Sequence, residues 1–166
     1  MSNLENGLPL RESMTAVLRN LLDMAVVIKR LDKPVKDPQF WGTLVGDDGH
    51  LSVLCGVDLP LSAYLACGLS GVAKNVAEEF IKAKTLEPAN AETLREVINV
   101  ASSLFNIGDA PHVRLHSFAQ RGSTQYAELN AMAAQGRARN DQTVEIPRYG
   151  TGSLAFVTFE KIAPQP

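Results

Sequence analysis

Asn90-Ala-Glu-Thr-Leu-Arg-Glu-Val-Ile-Asn-Val-Ala-Ser-Ser-Leu-Phe-Asn106 reads as one amphipathic helix, and its place between two strand-rich ends decides the fold class. At about 100° per residue, Leu94, Val97, Ile98, Ala101, Leu104 and Phe105 form one apolar stripe. Glu92, Glu96, Asn99 and Ser103 form the opposite one. Asn90 is the expected N-cap, and Glu92 in the first turn suits the positive end of the helix dipole. Asn99 is an odd choice in mid-helix, because its amide competes with the backbone. A carboxylate and an amide on the water side do nothing for packing, so Glu96 and Asn99 suit a helix that presents a surface for chemistry or docking. The pattern alone is weak. It recurs at Glu87-Pro-Ala-Asn90, where a proline and an expected helix start keep the side chains off one face. Standing alone, Glu96 and Asn99 read better as ordinary solvated positions.

On the N-terminal side of this helix the hydrophobic period changes repeatedly. From Pro9 or Arg11 to Met24, Met14, Val17, Leu18, Leu21 and Leu22 recur at helical spacing. Val26 to Leu31 is β-branched and ends in a Lys-Pro turn, which predicts a strand. Phe40 to Val45 and Leu51 to Val57 make the clearest hairpin, with Gly46-Asp-Asp-Gly49 supplying the turn. Asp58 and Pro60 look like the cap and opening of a helix over Leu61 to Leu69. Ser70-Gly71 breaks it, and Val76 to Lys82 is helical again.

On the C-terminal side, Gly108-Asp-Ala-Pro111 is expected to stop the helix, and His112 to Phe118 alternates as a strand. Tyr126 to Met132 is ambiguous between strand and helix. Gly136 to Gln142 is polar and turn-rich, which predicts a loop. Thr143 to Pro147 and Leu154 to Ile162 read as two strands joined by Tyr149-Gly-Thr-Gly152. Helices in the middle and strands at both ends predict an α+β fold, a largely antiparallel sheet with helices packed on one face. The last two strands are expected at a sheet edge, where a second copy could add to make a homodimer.

Bulk properties fit a single domain over residues 1–166, with 1–8 as a flexible tail. The chain is 45% hydrophobic and 20% charged with a formal net charge of −2, so no basic excess exists to neutralise nucleic-acid phosphates. Arg121, Arg137 and Arg139, followed by Asp141, read as a solvated loop. Cys55 and Cys67 fit no metal or redox spacing and are expected as buried thiols. The first residues lack a signal-peptide pattern, and Met24 to Ile28 is too short to span a bilayer, which predicts a cytoplasmic protein with no membrane partner.

Other chemistries find little support. His112 and His116 would share one strand face without a third ligand, and His50 follows a hairpin glycine, so no metal site is expected. Ser102 and Ser103 lie near Asn99 without a histidine, so nucleophilic catalysis has no triad. Gly46 and Gly49 lead into a strand without Walker spacing and read as a turn. Gly150 and Gly152 read as hairpin glycines, and Trp41 and Tyr64 as packing residues.

The order of parts resembles the CheX branch of the CheC/CheX/FliY phosphatase family. Leu10-Arg-Glu-Ser-Met-Thr-Ala-Val-Leu-Arg-Asn-Leu-Leu-Asp-Met-Ala-Val-Val-Ile-Lys29 looks like that family's first helix running into its first strand, and Leu31-Asp-Lys-Pro34 like the turn after it. Trp41-Gly-Thr-Leu-Val-Gly-Asp-Asp-Gly-His-Leu-Ser-Val-Leu-Cys55 is similar to its glycine-bounded hairpin, and Glu96-Val-Ile-Asn99 to its Glu-x-x-Asn signature. Members usually carry a Gly-Asn pair after the signature, where this chain has Ala101-Ser-Ser-Leu-Phe-Asn106. There is one signature, so the two-site pattern of CheC does not fit, and the loop from Met132 to Asn140 has no obvious counterpart.

The resemblance implies a CheC-like fold and dephosphorylation of a CheY-like response regulator at its aspartyl phosphate. It implies that Mg²⁺ is bound by the regulator, with no cofactor held by this chain. Asn99 would orient the attacking water and Glu96 would contact the regulator's active-site lysine. Glu92, Ser102 and Ser103 would line the docking face. Neither catalytic residue needs a shifted pKa, because phosphoryl transfer relies on positioning more than on covalent help. Two alternatives remain: a non-catalytic docking or assembly module with the same fold, and an unrelated α+β domain in which Glu96 and Asn99 are merely solvated.

Overall fold

The computed structural model describes residues 4–5, 7–106 and 112–159. A short antiparallel ribbon, β1 (Leu4–Glu5) and β2 (Leu8–Pro9), runs from the expected 1–8 tail to the start of the first helix. Then come α1 (Arg11–Leu22), β3 (Val27–Arg30), β4 (Phe40–Gly46) and β5 (Leu51–Val57). Three helices follow: α2 (Leu59–Ser70), α3 (Lys74–Ala83) and α4 (Pro88–Ala101), the last running into a 3-10 turn, Ser102–Phe105. The chain finishes with β6 (Val113–Gln120), α5 (Thr124–Ala133), β7 (Ala138–Ile146) and β8 (Gly150–Thr158). The expected turn at Gly108–Pro111 lies outside the described residues, as does the end of the last expected strand.

Six strands form one sheet in the order β3-β7-β8-β5-β4-β6, and every neighbouring pair is antiparallel. This is the expected α+β architecture with an antiparallel sheet, except that helices cover both faces and not one. The main core lies where α1 to α4 cover one face: Leu18, Leu22, Leu61, Leu65, Leu94 and Ile98 meet Leu44, Val53, Cys55 and Phe156. Alternation along the strands sends Trp41, Val45, Leu54 and Val157 to the other face, where Tyr126, Leu129 and Ala133 of α5 form a second core.

The ambiguous segment 126–132 is thus a helix. Ser123 Oγ accepts from Tyr126 N (3.1 Å), and Asn130 Oδ1 accepts the Trp41 indole N–H (3.1 Å). Packing on Trp41 and the Ser123 cap decide what periodicity could not.

Three expectations in the last third are corrected. The expected loop 136–142 instead opens β7, at Ala138. Its polar run is tolerated because Asp141 takes both Arg139 (2.7 and 2.9 Å) and the backbone N–H of Val35 (2.8 Å). Nor do β7 and β8 lie at an edge: β3 covers β7, and β8 sits between β7 and β5. The edges are β3 and β6, so edge addition through β7 or β8 is closed.

Gly152 is no hairpin glycine. It lies within β8, opposite Val144, where the backbone of α2 passes directly over it.

Asp58 caps α2 as expected, accepting from Leu61 N (2.9 Å). Burial pushes its carboxyl up, and hydrogen bonds from Leu61 and Ser153 offset this only in part. A carboxyl with a folded pKa above its unfolded value holds more protons when folded. Stability therefore falls as pH rises from the unfolded value through the raised folded one. Asp58→Asn keeps an oxygen cap without a buried charge, so urea melts from the acid range to neutral pH should show a flatter slope. An unchanged slope would contradict this assignment.

Cys55 and Cys67 are free and buried. Burial pushes the Cys55 thiol up to about 12 and raises that of Cys67. Thiolate is the reactive form, so neither should react with dithionitrobenzoate until the protein is denatured, when both should. Rapid labelling of the native protein would refute this.

Candidate functional site

Helix α4 starts earlier than expected. Pro88 occupies its first turn and Glu87, not Asn90, is the N-cap, without a side-chain hydrogen bond. Proline fixes φ for the helix and lacks an N–H that would go unpaired there, so it outcompetes Asn90 as the start.

Leu94, Val97 and Ile98 are buried, and α4 packs against α1, α2 and β6. Gly42 on β4 lets it sit low on the sheet: a Cβ there would lie 3.3 Å from Ile98 Cγ2 and 3.2 Å from Leu115 Cδ1. The inner stripe thereby fixes the rotation of the helix and the outward direction of the other face.

Glu92, Glu96, Asn99 and Ser103 are exposed, as the helical spacing requires. Among the described residues, the side chains of Glu96 and Asn99 make no hydrogen bond or ion pair. Both are available to a partner.

Ser102, assigned to the docking face, is placed differently: it is only 4% exposed. Its Oγ donates to the Asn99 carbonyl (2.6 Å) as the α-helix tightens into the 3-10 turn. That tightening turns Ser102 inward and leaves Ser103 outside.

The segment in place of a Gly-Asn pair is also accounted for. Leu104 and Phe105 are buried, and Phe105 meets Phe156 edge-on with centroids 5.4 Å apart. Asn106 then clamps the start of β6, donating to Val113 O (3.0 Å) and accepting from Val113 N (2.7 Å). The bulky residues serve the core and do not project beside Asn99.

Val100 was missed by the sequence reading. It is 41% exposed, one of two large hydrophobic side chains left open to solvent among the described residues. The signal was present: Val100 falls outside the apolar stripe and lies four residues after Glu96, on the same face.

This face offers two carboxylates, an amide that both donates and accepts, a hydroxyl and one apolar contact. Among the described residues, no three His, Cys, Asp or Glu side chains cluster to hold a metal ion. His50, weighed as a ligand, sits instead beside Asp48, Nδ1 to Oδ2 at 3.6 Å. No described helix is long and apolar enough to cross a membrane.

No family model and no curated protein matches the sequence. Solved structures do. The chain is similar to a chain of the CheX–CheY–BeF3–Mg²⁺ complex from Borrelia burgdorferi, with a TM-score of 0.55 and 17% identity over 90% of this chain and 94% of that one. It is similar to FliY of Thermotoga maritima, with a TM-score of 0.56 and 11% identity over 89% and 82%. The FliM middle domain of Vibrio alginolyticus gives a TM-score of 0.59 and 10% identity over 89% and 87%. The fold is that of the CheC/CheX/FliY family, as the resemblance implied.

Proposed function

We propose that this chain dephosphorylates a CheY-like response regulator, with Glu96 and Asn99 of α4 as the working residues. The observation that carries the reading is their joint exposure, unengaged, on a helix whose inner face is fixed by the core. A chain from a CheX–CheY complex shares the fold, which supports a partner of the CheY type.

In this mechanism the regulator supplies the aspartyl phosphate and its Mg²⁺. The Asn99 amide oxygen accepts a hydrogen bond from a water and holds it in line with the phosphorus–oxygen bond to the aspartate. The water oxygen bonds to phosphorus as the phosphorus–oxygen bond to the aspartate breaks, the aspartate leaves as carboxylate, and the water proton passes to phosphate or solvent. Glu96 pairs with the regulator's active-site lysine, which fixes register more than it adds affinity. Glu92, Ser103 and Val100 complete the docking rim.

A second reading keeps the fold without the chemistry, as a docking or assembly module. The likeness to a FliM middle domain favours it. Decay of phosphorylated regulators from the same organism, with Mg²⁺, separates the two. Acceleration by this protein supports the phosphatase; binding without acceleration supports the module. A folded protein that neither binds nor accelerates would overturn both.

A further inference from the structure

A cleft of about 580 Å³ opens between β2, the start of α1, the end of β3 and the first half of β7. None of its lining residues belongs to α4. We infer that it binds a nucleoside monophosphate.

Gln142 on β7 is the first observation. It lines the cleft and is only 4% exposed, and its Oε1 is buried without a hydrogen-bond partner. Its amide nitrogen has none either among the described residues. A buried amide left unpaired costs free energy, and the great majority in proteins are paired.

Its neighbours are paired. Arg139 holds Asp141 (2.7 Å), and the Asn140 amide donates to Pro9 O (3.4 Å). The polar residues leading up to Gln142 are thus tied down, which leaves its amide idle.

The second observation is α1. This helix of 12 residues starts at the cleft with Leu10 as N-cap and no side chain capping its first-turn N–H groups. Such an end favours an anion, and a phosphate above all.

Arg11 and Arg30 line the same cleft. Arg11 meets only the exposed Glu12, at 3.6 Å, and Arg30 has no ion pair among the described residues. Glu12 and Asp32 also line the cleft, so an inorganic anion gains little net charge complementarity.

A nucleotide uses every one of these groups. Its phosphate takes the helix end and the arginines, its ribose hydroxyls donate to Asp32, and its base edge pairs with the Gln142 amide, whose buried Oε1 turns toward the cleft to engage a purine through both atoms. The volume falls within the range of small-molecule sites.

The test is calorimetry on the full chain with AMP, GMP, CMP and UMP, and with inorganic phosphate and the nucleosides as partial ligands. At least one nucleotide should bind more tightly than ~1 mM, and both partial ligands at least about 10-fold more weakly. Gln142→Leu should weaken that nucleotide by about 10-fold while melting at or above the wild-type temperature, because it removes an unpaired amide. Arg30→Ser, at an exposed position, gives an independent loss if Gln142→Leu does not fold.

No nucleotide binding by folded wild type up to ~1 mM would overturn the inference. So would inorganic phosphate binding as tightly as the nucleotide, or nucleotide affinity unchanged in either folded variant.

Discussion

Asn99→Ala should abolish the acceleration of aspartyl-phosphate loss, by about 100-fold or more, while binding to the regulator stays within a few-fold of wild type. The split follows from what the side chain touches. Asn99 is exposed, and its amide has no partner in this protein that the substitution would strand. The contact that ends the helix, from Ser102 Oγ, goes to its carbonyl and survives. Alanine is also the better helix former, by about 0.5 kcal/mol. Loss of turnover would therefore report on the water and not on the fold. Single-turnover decay of phosphorylated regulator, alongside calorimetric binding to a beryllofluoride-activated regulator, measures both quantities. Equal loss of binding and turnover would reduce Asn99 to a docking contact and favour the module.

Glu96 differs in kind from Asn99 and sharpens the reading. An ion pair to a lysine forms in the docked complex before chemistry begins, so its removal should raise KM more than it lowers kcat. The two residues share a helical face but act at different stages. A catalyst and a scaffold presenting the same face are distinguished by that difference.

The helix and its two faces were legible because a 3.6-residue period carries both at once. The inner stripe of α4 and the exposed Glu96 and Asn99 follow from one pattern. The end of the helix was not legible in the same way. Helical spacing already set Ser103 outside and Ser102 four residues after the inward Ile98, but only the passage into a 3-10 turn, with Ser102 Oγ on the Asn99 carbonyl, buries Ser102. Strand order was equally hidden: the start of β7 reads as a polar loop because Asp141 meets Arg139 and the Val35 N–H only in the folded chain, contacts that local sequence does not display. Val100 is the opposite case: the 3.6-residue period itself places this apolar side chain off the inner stripe and beside Glu96. Gln142 carried no signal at all, since its unpaired amide exists only once its neighbours have been paired.

Gly152→Ala should be the most damaging single methyl in the described structure outside the proposed chemistry. A Cβ at that position would lie 2.5 Å from Leu61 Cβ and 2.6 Å from Leu61 Cα, closer still to the Leu61 backbone nitrogen. Those atoms belong to the first turns of α2, which cannot swing aside as a flexible side chain can. Leu61 N is held by Asp58 Oδ1, Ser62 N and Oγ both bond to Asp58 O, and Asp58 N is bonded to Ser153 O beside the substituted residue. The helix start and the strand are thus clamped together at the clash. Moving α2 also disturbs α4, which packs on it and carries Glu96 and Asn99. Overpacking against a fixed backbone should cost about 3 kcal/mol, lowering the melting temperature by roughly 10 °C for a domain of this size. Gly71→Ala is the control that separates steric from conformational cost. Gly71 caps α2 at φ +69°, and a methyl added there would meet nothing within 4 Å, so its loss is confined to the left-handed backbone penalty, about 1 kcal/mol. If thermal melts rank Gly71→Ala as the worse of the two, then α2 does not press on β8 as closely as the structure places it, and the platform that orients Asn99 is softer than its geometry implies.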